Sequence, residues 1–107
     1  MGYRSEIAIG VTPEIYATAP DDVKKAFDEV FGGPSINEAD RILWHSDWMK
    51  WYSDDPLVQR IEGWLSELEA AEESYGLLRL GEDNNDEQEE GYPYEFGIRE
   101  VHKLEIE

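Results

Sequence analysis

The stretch RILWHSDWMKWY, residues 41–52, decides the fold because it fits two periodicities at once. Trp44, Trp48 and Trp51 recur at i, i+4 and i+7, the spacing of one helix face. The density of rings and the alternation of Ile42 with Trp44 instead match a strand, with a bulge expected around Ser46 and Asp47. We read the stretch as a strand. Trp44 and Trp48 then point to the core together, and Trp51, on the opposite parity, is the indole expected to be partly exposed.

The segments on either side are easier to read. Downstream, Ser53-Asp54-Asp55-Pro56 starts a helix, with Asp55 as the side-chain cap and Pro56 at the first helical position. Leu57, Ile61, Trp64, Leu65 and Leu68 fall on one face of it, and the pattern predicts a helix to about Ser74. Upstream, Pro20-Asp21-Asp22 opens another helix, where proline and acids suit the free N–H groups of a first turn. Its stripe is Val23, Ala26, Phe27 and Val30, and Gly32-Gly33-Pro34 stops it. Before it, Tyr3, Ser5, Ile7, Ile9 and Val11 alternate with smaller or polar residues as in a strand with one buried face. Leu77 to Leu80 suits a short inner strand, and residues 82–92 read as an acidic, mobile loop. From Tyr94 to Ile106 one parity is apolar and predicts a last strand, with His102 on the apolar side. The resulting order, β-α-β-α-β-β, describes an α+β two-layer sandwich in a single domain, 1–107, with two helices on one face of a mainly antiparallel sheet.

The charge is extreme. The chain has 26 acids and 9 bases in 107 residues, a formal net charge of −17. Between Glu62 and Glu90 there are eleven acids and one base, Arg79, so this stretch supplies −10 of the total. Such a field favours basic partners and repels nucleic acid and anionic lipid. Disorder does not follow, because four Trp, six Tyr and three Phe provide a core. With no cysteine, disulfides, thiolate metal sites and a cysteine nucleophile are excluded. No apolar run approaches a membrane span, the start MGYRSE lacks signal-peptide features, and Glu6 breaks the myristoylation pattern, so a cytoplasmic protein is expected.

Few residues point to catalysis. The loop GEDNNDEQEEG spaces Asp83, Asn85 and Glu87 like the first ligands of an EF-hand, but Gln88 stands where glycine is required. His45 and Asp47 form an HxD pair that a small metal-assisted hydrolase could use, although no further zinc spacing accompanies them. There is no GxSxG, P-loop or dinucleotide glycine pattern. We therefore expect no enzyme, no cofactor and no metal. Lys50-Trp51-Tyr52 has the residue types of a base-stacking platform, but Asp47, Asp54 and Asp55 surround it.

The second helix gives the charge a shape. On a helical wheel Glu62, Glu69 and Glu73 lie within about 40° of one another, with axial steps of about 10 Å and 6 Å. These steps approach the phosphate spacing of a DNA strand. Together with Glu82, Asp83, Asp86, Glu87, Glu89 and Glu90 they outline an acidic surface for a Lys/Arg-rich groove. The competing reading, a solvated helix with a solubilising loop, is weakened by a net charge well beyond the magnitude of about 2–8 that solubility requires. Trp51 and Tyr52 form a second candidate surface, aromatic rather than acidic.

The opening Met1-Gly2-Tyr3-Arg4-Ser5-Glu6, the central Lys50-Trp51-Tyr52-Ser53-Asp54 and Leu78-Arg79-Leu80-Gly81-Glu82-Asp83 resemble a group of small acidic bacteriophage and prophage proteins. The resemblance implies a phage context and no catalytic residues. Small acidic phage proteins often block a host nucleic-acid-binding machine, CRISPR effectors included, and the charge of this sequence fits that role although its motifs do not specify it. The expected partner is thus a basic, nucleic-acid-binding host protein, not nucleic acid itself and not a membrane. The alternative is a phage accessory or assembly protein that binds through Trp51 and Tyr52.

Overall fold

Strand β1 (Ser5–Val11) runs through the centre of a five-stranded antiparallel sheet in the computed structural model, which describes residues 4–82, 86–100 and 104–106. Two helices follow it, α1 (Pro13–Ala17) and α2 (Asp21–Phe31), then strands β2 (Ile36–Asn37) and β3 (Ile42–Met49), helix α3 (Pro56–Ala70), and strands β4 (Tyr75–Gly81) and β5 (Glu87–Gly91). The order across the sheet is β2-β3-β1-β4-β5. After a single 3-10 turn at Pro93–Phe96, β6 (Ile98–Glu100) and β7 (Leu104–Ile106) pair as a separate hairpin. The protein is α+β, with its long helices on one face of the sheet.

The stretch that decides the fold is a strand, and it is bulged. Ile7 pairs with Ser46 and Ser5 with Met49, so β3 carries one extra residue across from Glu6. Upstream of the bulge the register sets Ile9 opposite both Trp44 and Leu77, and Val11 opposite Ile42 and Tyr75. These side chains meet Val23, Ala26 and Phe27 of α2 and Val58, Ile61, Trp64, Leu65 and Leu68 of α3 in one buried cluster. Trp44 is its hub, with its ring 4.2 Å from that of Phe27 and 4.9 Å from that of Tyr16. The expected exposure of Trp51 is not found, since only 7% of it is accessible. The bulge and the end of β3 at Met49 break the alternation on which that expectation relied, and Trp51 instead packs toward Phe31. The side chain of Trp48 lies outside the described residues, as do Asp83 and His102.

Helix boundaries follow local chemistry. The Asp55 carboxylate accepts the Leu57 N–H at 2.8 Å, capping α3 as its sequence predicts. The helix stops at Ala70, not near Ser74. Glu72 takes a left-handed conformation, φ 60°, its N–H donating to the Glu69 carbonyl while Glu73 donates to that of Leu68. This paired closure is a Schellman motif, with glutamate where glycine is usual. Glu69, Glu72 and Glu73 at the negative end of the helix dipole disfavour any further turn.

Two other expectations change. Of residues 82–92, 87–91 are not loop but β5, an edge strand paired along β4 from Leu80–Glu87 to Gly76–Gly91. The apolar parity from Tyr94 to Ile106 does not make one strand, because Gly97, with φ 80°, turns the chain out of the 3-10 turn. This segment covers the second face of the sheet, where Phe96 and Ile98 pack on Ala8, Leu43 and Leu78. Glycine permits that approach. A Cβ on Gly10 would sit 2.7 Å from Phe96 Cβ, and one on Gly76 would sit 2.6 Å from Pro93 Cα.

Two stability measurements by urea denaturation check these points. Replacing Gly76 with Ala is expected to cost about 1–3 kcal/mol, because the obstacle is backbone and cannot rotate away. Replacing Glu72 with Gly is expected to stabilise by about 0.5–1 kcal/mol, through relief of the left-handed residue and loss of a charge at the helix end.

Candidate acidic interaction site

Helix α3 lies with its apolar stripe on the sheet, which leaves Glu62 on the flank that faces β5. Side chains alternate along β5, so Gln88 and Glu90, opposite Arg79 and Leu77, project on the helix side, whereas Glu87 and Glu89 project on the other. The amide of Gln88 binds the two acids together, its Nε2 donating to Glu62 Oε2 at 3.0 Å and to Glu90 Oε2. Arg79 sits beside them on β4. Its guanidinium grips both oxygens of Asp86, at 2.8 and 3.2 Å, and donates to Gln88 Oε1 at 3.1 Å and Ser5 Oγ at 3.0 Å. The one base of the stretch 62–90 is therefore spent on holding the hairpin, a bidentate contact of the stronger kind.

Two concavities flank this network. One, of about 560 Å³, is lined by Trp51, Tyr52, Ser53, Asp54, Glu62, Arg79, Asp86 and Gln88. The other, of about 390 Å³, lies between the end of α3 and the end of β5 and is lined by Glu69, Glu72, Glu73, Tyr75, Gly91 and Tyr92. Tyr75 shows how acidic this end is. Its hydroxyl is buried without a hydrogen-bond partner among the described residues, and burial followed by the fields of Glu69 and Glu90 pushes its pKa up to about 12. Among the described residues, none of Glu62, Glu69, Glu72, Glu73, Glu89 and Glu90 forms an ion pair with a base.

The bases that find partners lie mostly elsewhere. Arg60 binds Asp22 at 2.6 Å across α3 and α2, holding that carboxyl below its ordinary range, and shares a depression with Lys25. Arg41 binds Glu38 at 2.9 Å and donates to the Phe96 carbonyl. Glu62, Glu69, Glu72, Glu73 and Glu90 thus share the α3–β5 flank without a basic partner among the described residues.

Of the residues singled out in the sequence, Glu62, Glu69, Glu73, Glu90 and Tyr52 come to this flank. The wheel that grouped the first three assumed unbroken helix. Glu73 lies past the end of α3, so its regular 6 Å step beyond Glu69 does not apply, although both still line one cavity. Asp86 is tied to Arg79, Glu82 accepts the Arg4 N–H at 2.8 Å at the sheet end, and Glu87 and Glu89 lie on the far side of β5. Trp51 contributes a buried edge of the larger cavity, not an exposed platform. His45 and Asp47 are remote from this flank, on the other face of the sheet beside Glu6. Sequence reading passed over Gln88, which organises the acids, and Tyr75. Their signal was parity across the hairpin, which is invisible while residues 87–91 are read as loop.

Comparison with protein-family models, with curated proteins and with solved structures returned no match.

A phenol whose folded pKa is raised contributes stability below its unfolded pKa and loses it as pH rises through the folded value. Stability attributable to Tyr75 should therefore be full below pH 10.0 and fade between 10.0 and about 12. Burial and Asp28 raise Tyr16 as well, so ultraviolet titration of tyrosinate should show late groups, and Glu69→Gln should move the Tyr75 group to lower pH.

Proposed function

We propose that this protein is a non-enzymatic, acidic interaction protein whose α3–β5 flank docks on a basic, nucleic-acid-binding surface of a host protein and excludes the nucleic acid. The observation that supports this most is the commitment of Arg79. With the only base of the stretch 62–90 locked to Asp86 and Gln88, Glu62, Glu69, Glu72, Glu73 and Glu90 are left to meet cations from outside. Leaving them unpaired costs self-repulsion, a cost that association with a basic groove relieves.

The resemblance of the sequence to small acidic phage proteins supports a phage-type inhibitor in the bacterial cytoplasm, acting on a host defence complex of the CRISPR kind. The two concavities suit entering Lys or Arg side chains, each with carboxylates on its walls and an aromatic ring, Tyr52 or Tyr92, beside them. The aromatic alternative loses support, because a Trp51 that is 7% accessible offers little surface to a partner.

Pull-down from a bacterial lysate tests the reading. Wild-type protein is expected to retain a basic nucleic-acid-binding protein that DNA displaces, with affinity falling at least about tenfold as salt rises from about 50 to 200 mM. Converting Glu62, Glu69, Glu72, Glu73 and Glu90 together to Gln should abolish capture. Undiminished capture by that variant would overturn the proposal.

A further inference from the structure

A second group of side chains converges away from the acidic flank, on the opposite face of the sheet. Glu6 of β1 and His45 and Asp47 of β3 bring one imidazole nitrogen and two carboxylate oxygens within 4.8 Å of one another. The bulge makes this possible, because Glu6 there faces two residues, Asp47 and Trp48, in place of one. His45 Nε2 stands 2.9 Å from Glu6 Oε2 and 3.2 Å from Asp47 Oδ1.

Hydrogen bonding through the imidazole accounts for only part of this arrangement. Nε2 carries at most one proton and cannot make two full hydrogen bonds. Carboxylates brought together across paired strands repel.

A metal ion meets both demands. Ligand atoms about 2.1 Å from one ion stand about 3.0 Å apart in octahedral and about 3.4 Å apart in tetrahedral coordination. The observed separations of 2.9 and 3.2 Å lie at that spacing. We propose that Glu6, His45 and Asp47 bind one first-row divalent metal ion. The imidazole favours zinc over calcium and magnesium. Asp47, 75% accessible, marks the open side, where water completes the coordination. The ion ties β1 to β3 at the bulge. This site is separate from the α3–β5 flank, and neither proposal depends on the other.

Calorimetric titration of Zn²⁺ and Mn²⁺ into chelator-treated protein tests it, with excess Mg²⁺ present to fill diffuse acidic sites. One ion per chain is expected. Affinity should fall at least about tenfold in His45→Gln and in Asp47→Asn. The exposed Asp47 position lets the second variant keep its fold, which circular dichroism verifies. The double variant Glu69→Gln, Glu73→Gln, which removes charge only from the acidic flank, should bind like wild type. Nitrogen-15 spectra should show the ion on Nε2 of His45. Absence of binding in wild type, or equal affinity in wild type, His45→Gln and Asp47→Asn, overturns the site.

Discussion

Packing of aromatic rings between helices and sheet is what holds a chain of net charge −17 together. Trp44 rises from β3 into contact with Phe27 and Tyr16, and Trp64 of α3 meets the same pair edge-on, at 5.9 and 6.3 Å. Each ring belongs to a different segment, so this one cluster joins α1, α2, α3 and the sheet. Ring pairs of this kind add about 0.5–1.5 kcal/mol each beyond the area they bury. That cohesion is non-directional in charge, and it permits the surface to be acidic without unfolding the core.

The surface charge is arranged as well as abundant. An arginine placed within a run of eleven acids would ordinarily be read as partial neutralisation. Here its guanidinium is turned inward to Asp86, Gln88 and Ser5, where it stiffens the β4–β5 hairpin and fixes the position of Gln88. Gln88 in turn orients Glu62 and Glu90. A cation thus acts as scaffold for an anionic surface, and a diffuse excess of charge becomes a set of positioned carboxylates.

Sequence reading reached the layers but not every edge. The caps of α2 and α3, the strand at 42–49 and its bulge were legible because each rests on local chemistry, such as the Asp55 carboxylate on the Leu57 N–H or the left-handed Gly32. The strand Glu87–Gly91 was not, since EQEEG has no strand-like composition and is held only by its partner β4. The same limit applied to Trp51, whose environment depends on one extra residue in the strand before it. Acids at the site were visible as a run. Their division between the two sides of β5, and the assembly of Glu6 with His45 and Asp47 from distant segments, required the register.

The two borders of the main sheet deserve comparison. On one side β2 is just Ile36 and Asn37, too brief to template another chain. On the other, β5 presents Glu87, Glu89 and Glu90 along its length. A foreign strand seeking to extend the sheet meets either nothing to zip onto or a fence of like charge. Strand addition is disfavoured along both β2 and β5, so at the β5 border a partner meets side chains in place of backbone.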